Sequence, residues 1–180
     1  MKIDTNTFSD NTTELLFVLT PSEPVQKDLA YFKKDTERLV GYTYESRHSL
    51  AHITIGRTTT EKPTQLIYAV AAMASHLTPF TVFIKDCSTF HHGANRTIFL
   101  DVVNKPAVNA VTEKIFGPTH ANDNPHITIA RNLPYDDFLK AWPYFENVHY
   151  SQHFTCENIT VLQRTGNRWA HYESIPLGIN

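Results

Sequence analysis

The tetrapeptide His-Ile-Thr-Ile stands twice in the chain, at residues 52–55 within LAHITIGR and at residues 126–129 within NPHITIAR. A small residue and an arginine follow each copy, Gly56 and Arg57 in the first, Ala130 and Arg131 in the second. Imidazole is the side chain that changes charge near neutral pH, and a hydroxyl both donates and accepts hydrogen bonds. Two imidazoles across one cleft can divide a phosphodiester reaction between them. The neutral ring takes a proton from the attacking oxygen, and the protonated ring gives one to the leaving oxygen. Two threonine hydroxyls can donate to the non-bridging oxygens as charge builds there. This division of labour requires no metal and no cofactor.

In a strand, side chains alternate, so His52 and Thr54 point one way while Ile53 and Ile55 point the other. The isoleucines can anchor the strand in a helix-covered core. The imidazole and hydroxyl are left on the opposite surface, with ~7 Å between their Cα atoms. His126 and Thr128, backed by Ile127 and Ile129, repeat the device. One copy is a weak signal, because half-buried strands commonly carry His and Thr. Two copies in equivalent elements point to a shared site, with His52 and His126 as the acid-base pair and Thr54 and Thr128 as phosphate donors. Arg57 and Arg131, five residues after each histidine, fall on the isoleucine face of a flat strand. They are candidate phosphate or rim contacts that reach the cleft only where the strand twists or ends. Tyr42, Tyr44 and Phe90, in loops or strand ends near the motifs, are candidate base-stacking rings, against the alternative of ordinary packing.

These residues must be positioned by regular elements. ELLFVLTP reads as a buried strand ending at Pro21, followed by a helix from Pro24 to Gly41 with Val25, Leu29, Phe32, Leu39 and Val40 on its apolar side. Residues 49–57 are the first HITI strand, and PTQLIYAVAAMASHL from Pro63 is a second helix. Residues 79–92 form a long strand that turns at 93–95 and returns through 96–103. The order then restarts: a helix from Lys105 to the Gly117-Pro118 stop, the second HITI strand, and a helix near Pro134 that Pro143 is expected to kink or split. HFTCENITVLQRT and RWAHYESIPL are the last two strands, separated by Gly166-Asn167. Each HITI thus occupies the same slot in a repeated β-α-β-α-β unit, with one strand over. The expectation is an α+β fold related by a pseudo-twofold. Residues 1–180 form one domain, with halves near 14–92 and 95–176 that can exchange strands.

A chain of 180 residues with 41% hydrophobic and 19% charged residues has material for its own core. A net charge of −2 excludes the broad basic surface that binds long nucleic acid, so a phosphate-bearing ligand is expected to be short. The N-terminus, MKIDTNTFSDNTTE, lacks a signal-peptide core, and no run approaches a membrane span. A cytoplasmic monomer, away from membranes, is the expectation. Cys87 and Cys156 show neither metal-knuckle nor redox spacing and read as reduced and structural. His91 and His92 with His120 are the one histidine group that could suggest a metal, but neighbours in a strand point to opposite faces.

HITI at 52–55 and HITI at 126–129 resemble the paired His-x-Thr/Ser-x motifs of the 2H phosphoesterase superfamily, which includes the bacterial RNA 2',3'-cyclic phosphodiesterases also called 2'-5' RNA ligases. The resemblance covers most of the chain from Glu14 onward and leaves the first dozen residues unassigned. It implies two lobes with antiparallel sheets flanking a central cleft. It further implies the roles given above to His52, His126, Thr54 and Thr128, and a substrate that is an RNA end or short nucleotide. The implied bond is a 2',3'-cyclic phosphate or a 2'-5' phosphodiester, with joining of 2'-5' linkages as a reverse reaction. The alternatives are a hydrolase of cyclic or 2'-5'-linked signalling oligonucleotides and a non-catalytic RNA-end binder.

Overall fold

The computed structural model describes residues 12–178. Its elements run β1 (Thr13–Leu19), α1 (Glu23–Val40), β2 (Ile53–Thr60), α2 (Pro63–Ala74), β3 (Phe80–His92), β4 (Asn95–Val102), α3 (Lys105–Phe116), β5 (His126–Pro134), α4 (Tyr135–Phe145), β6 (Ser151–Cys156), β7 (Asn158–Thr165) and β8 (Arg168–Pro176), with a short 3-10 turn at Pro118–His120. The strands form two antiparallel four-stranded sheets, ordered β2-β1-β7-β8 and β5-β4-β3-β6. The fold is therefore α+β, with the two HITI strands at corresponding edges of the two sheets.

Each sheet borrows from the other half of the sequence. β3 lies in the second sheet and β7 and β8 in the first. The helices cross over as well: α1 packs on β5, β6 and α4, while α3 packs on α2 and β2. A single buried cluster joins the two sheets, including Leu15, Phe17 and Leu19 of β1, Ile53 and Ile55 of β2, and Ile127 and Ile129 of β5. The isoleucines of both motifs thus face the helix-covered interior, as strand alternation requires.

The loop after α1 is set by local chemistry. Pro24 suits the first turn, whose N–H groups lack helical partners, and Gly41 ends the helix at φ 87°, a left-handed conformation free of strain only for glycine. The Gly41 N–H donates to the Glu37 carbonyl at 2.9 Å, and the chain turns away toward His52.

Both HITI strands carry a β-bulge at the same motif position. In β2, Thr54 pairs with Val18 and Gly56 with Phe17, so Ile55 is the extra residue. In β5, Thr128 pairs with Phe99 and Ala130 with Ile98, so Ile129 is the extra residue. A bulge resets the alternation of the strand that contains it. Arg57 now lies opposite Leu16, on the same side of β1 as Val18, and therefore shares the Thr54 face. Arg131 is turned in the same way toward the Thr128 face. The flat-strand expectation that put both arginines on the isoleucine face is corrected by this extra residue.

Two further expectations change. HFTCENITVLQRT is not one strand: it divides at Glu157 into β6, paired with β3, and β7, paired with β1. The buried positions change parity there, from Phe154 and Cys156 to Ile159 and Val161, because the chain leaves one sheet and joins the other. Nor does Pro143 split α4, which continues to Phe145. The proline lies in the last turn, where only one interior hydrogen bond is forfeited. The unassigned first residues lie almost wholly outside the described range.

Candidate active site

β2 and β5 touch at the junction of the two sheets without sharing a ladder. His52 immediately precedes β2, and His126 is the first residue of β5. Each ring is tethered in the same way. His52 Nδ1 lies 2.8 Å from the Leu50 carbonyl, and His126 Nδ1 lies 2.9 Å from the Asn124 carbonyl, two residues upstream in both cases. A carbonyl can only accept, so Nδ1 carries the hydrogen and Nε2 is the ring nitrogen that can take up a further proton.

The surroundings of the two rings differ. Burial pushes the His52 pKa below the ordinary imidazole value. The Leu50 carbonyl opposes this, while the charges of Lys33, Arg131 and His126 push it down further. Burial also lowers the pKa of His126. The Asn124 carbonyl and the Asp101 carboxylate oppose it, and Arg131 and His92 add to it. Asp101 is the cross-strand partner of His126 on β4 and is bound to Lys105 at 3.1 Å. His126 therefore has a carboxylate neighbour, whereas the charges acting on His52 are cationic.

Thr54 and Thr128 sit two residues beyond their histidines, at the last regular pair before each bulge. The arginines part company. The Arg131 guanidinium acts electrostatically on Lys33, His52 and His126 together, so its charge serves both half-sites. Arg57 instead pairs with the Glu14 carboxylate and lies over the Trp169 ring, 5.6 Å from its centroid.

Of the three candidate stacking rings, one is beside the histidines. Phe90 stacks on Phe99 at 4.1 Å and 22° and meets the His126 ring edge-on at 4.8 Å and 78°. It forms a wall for His126, with one face already taken by Phe99. Tyr44 is not available to a base: it is 5% exposed, with its hydroxyl 3.2 Å from the carbonyls of Lys33 and Ile129. Burial of an aromatic with its hydroxyl satisfied is the stronger pull in this loop. Tyr42 is exposed, but its hydroxyl donates to Asp137 of α4 at 2.8 Å, which ties it to the surface there.

Lys33, absent from the sequence reading, organises the loop that delivers His52. It is 2% exposed, and its Nζ donates to the Ser46 carbonyl at 3.0 Å and to the Ser49 carbonyl and hydroxyl, both at 2.6 Å. Burial, then Arg47 and Arg131, lower its pKa to about 8. Ser46 in turn accepts from the Arg131 N–H at 2.9 Å, linking the approach to the first motif with the strand of the second. A signal existed: Lys33 falls at i+4 from Leu29 on the apolar stripe of α1, where a lysine needs internal partners.

Cys87 and Cys156 are free, and burial pushes both thiols up to about 12. His91 lies beside Thr89, His92 beside Phe90, and His120 beside Phe116, so the three are not gathered. Among the described residues no helix is long and apolar enough to cross a membrane.

A family model described as the 2'-5' RNA ligase superfamily matches residues 21–168. Among solved structures, TT0787 of Thermus thermophilus aligns with a TM-score of 0.64 at 15% identity, over 93% of this chain and 100% of that one. E. coli LigT complexed with 3'-AMP aligns with a TM-score of 0.62 at 14% identity, over 93% and 99%. Usb1 of Kluyveromyces marxianus aligns with a TM-score of 0.52 at 9% identity, over 94% and 99%. At such identities the likeness is one of fold. No curated protein matches the chain.

Proposed function

The chain belongs to the 2'-5' RNA ligase superfamily, and from that premise we propose that it is a metal-independent phosphodiesterase of RNA ends or short nucleotides, acting on 2',3'-cyclic phosphates or 2'-5' linkages. The observation that carries the reading is the pair of identical Nδ1 tethers at the starts of two strands that touch at the junction of the sheets. A neutral Nε2 removes a proton from the attacking water or hydroxyl, and a protonated Nε2–H donates one to the departing ribose oxygen. Burial of both rings keeps the neutral form available at neutral pH. Thr54 and Thr128 are assigned to the non-bridging oxygens, and Arg131 to the charge that grows on them in the transition state. In joining, a 5' ribose hydroxyl replaces water as the nucleophile on the 2',3'-cyclic phosphate, giving its proton to the neutral ring, while the 3' oxygen leaves with the proton of the other ring and a 2'-5' bond forms. That LigT has been solved with 3'-AMP supports a nucleotide-sized occupant for this cleft too.

The test is turnover of a nucleoside 2',3'-cyclic phosphate and of a 2'-5'-linked dinucleotide by the wild type, His52→Ala and His126→Ala. Each substitution is expected to lower kcat by ~10²–10⁴, the usual worth of general acid-base catalysis. Wild-type turnover of neither substrate rejects the proposal. Loss of activity in EDTA, restored by zinc or manganese, rejects the two-histidine mechanism.

A further inference from the structure

On the side of the first sheet that carries Thr54, a second apolar cluster stands apart from the main core: Leu16, Val18 and Leu162, with half-buried Trp169 packed against them. Pairing places these residues on one face. Thr54 lies opposite Val18, Arg57 opposite Leu16, Leu16 opposite Leu162, and Arg164 opposite Trp169. Among the described residues no helix contributes to the cluster, because α2 and α3 contact this sheet through the opposite, isoleucine-bearing face. The Trp169 ring is flanked by two guanidinium groups, Arg57 at 5.6 Å and Arg164 at 5.5 Å from its centroid. Arg57 is held there by Glu14 from one side, and Arg164 by the Gly166 carbonyl at 2.8 Å.

We propose that this face, from Thr54 past Arg57 to Trp169 and Arg164, binds the nucleotides flanking the reacting phosphodiester, making single-stranded oligonucleotide ends the preferred substrates over mononucleotides. The inference rests on the function proposed above. Trp169 stands three strands from Thr54, at least ~14 Å away at the usual inter-strand spacing, beyond what a nucleotide held at its own phosphate can touch. An indole face accepts any base by stacking, and a guanidinium beside it meets the backbone phosphate through paired N–H donors. Arg57 comes first along the path from the motif and suits the adjacent phosphate, with Trp169 and Arg164 receiving the base and phosphate beyond it. One ring stands between two cations here, as a base stands between two phosphates in a single strand. Stacking on Trp169 and phosphate pairing at the two arginines do not depend on base identity, so length rather than sequence is selected.

The experiment compares a nucleoside 2',3'-cyclic phosphate with a tetranucleotide ending in the same group. Trp169→Ala is expected to raise KM for the tetranucleotide about 5- to 140-fold, the worth of one stacked base, and to leave the mononucleotide within about twofold. Arg57→Gln and Arg164→Gln are expected to raise the tetranucleotide KM and to lower the salt dependence of its binding by ~0.7 in logarithmic slope each. Equal effects of Trp169→Ala on both substrates, or none on either, overturn the track. A second readout separates this failure from failure of the catalytic reading. The chain has two tryptophans, so Trp142→Phe leaves Trp169 as the sole indole. Quenching of its fluorescence by the tetranucleotide, reversed by salt, supports the track even if turnover is absent. No quenching at saturating tetranucleotide overturns it even if turnover is present.

Discussion

The two half-sites of His52 and His126 share a backbone design and the charge of Arg131, and differ in their other neighbours. Both histidines are tied through Nδ1 to the carbonyl two residues upstream, and both strands bulge at the second isoleucine. Beside His126 stand a carboxylate and a pair of stacked phenylalanines, Asp101 with Phe90 and Phe99. Beside His52 the charges are positive, from Lys33 and Arg131. The backbone devices that present the two histidines are duplicated, while the fields acting on the two rings are unequal. Unequal fields favour one placement of a shared proton between the two rings over the other.

The largest test of this comparison is the double variant His52→Ala/His126→Ala. If the rings act as one unit, it loses no more than about the ~10²–10⁴ of either single variant, because residues that act together are far from additive. Independent losses that multiply in kcat would instead make the two half-sites separate devices.

Next come the arginines. Arg131→Gln is expected to lower kcat/KM on a nucleoside cyclic phosphate by ~10²-fold, comparable to removing a donor from a charge-stabilising site. Arg57→Gln is expected to change that substrate by less than about twofold, since its partners are Glu14 and Trp169. Equal losses in steady-state kinetics would restore the symmetry that the structure breaks.

A third contrast lies in the small residue after each motif. A Cβ at Gly56 would press into the ring of Phe116, which packs edge-on against Phe17 at 5.2 Å. Ala130, its counterpart, fits with its methyl fully buried. Gly56→Ala is expected to destabilise by ~1–3 kcal/mol through overpacking, and Ala130→Gly by about 1 kcal/mol through lost burial and added chain freedom. Urea unfolding midpoints check both.

The finest contrast is in pH profiles. Asp101 favours the protonated form of His126, so Asp101→Asn is expected to move the His126-controlled limb of kcat/KM to lower pH. Lys33 disfavours protonation of His52, so Lys33→Met is expected to move the His52-controlled limb to higher pH. Shifts in the same direction would remove the electrostatic asymmetry. Stability has a related dependence. Both histidines have folded-state pKa values below the ordinary ~6.5, so the unfolded chain binds more protons below that pH. The melting temperature is expected to fall with pH from ~6.5 down to the folded-state values, and more shallowly in either alanine variant.

The order of elements and the paired motifs were legible because alternation of apolar residues and Pro or Gly punctuation are local properties. The helix at 24–41 and the isoleucine-in, histidine-out arrangement followed from them. What escaped depends on pairing between distant segments. The bulges at Ile55 and Ile129, which turn Arg57 and Arg131 onto the threonine face, exist only relative to β1 and β4. The sheet switch at Glu157 left a trace, the change of parity between Cys156 and Ile159, inside a run of strand-forming residues. Tyr44 looked like a loop aromatic because its acceptors, the Lys33 and Ile129 carbonyls, come from two other elements. Asp101 gained its place beside His126 from strand register alone.

The interlocking of the halves also bears on assembly. β3 belongs to the second sheet and reaches β4 through the two-residue turn at Gly93 and Ala94, while β7 and β8 return to the first sheet. A chain cut at that turn yields two fragments that each hold parts of both sheets, so they can refold only as a complementing pair. Opening the turn without cutting it lets two molecules trade halves and rebuild the same sheets. Each cleft of such a domain-swapped dimer would join His52 of one molecule to His126 of its neighbour.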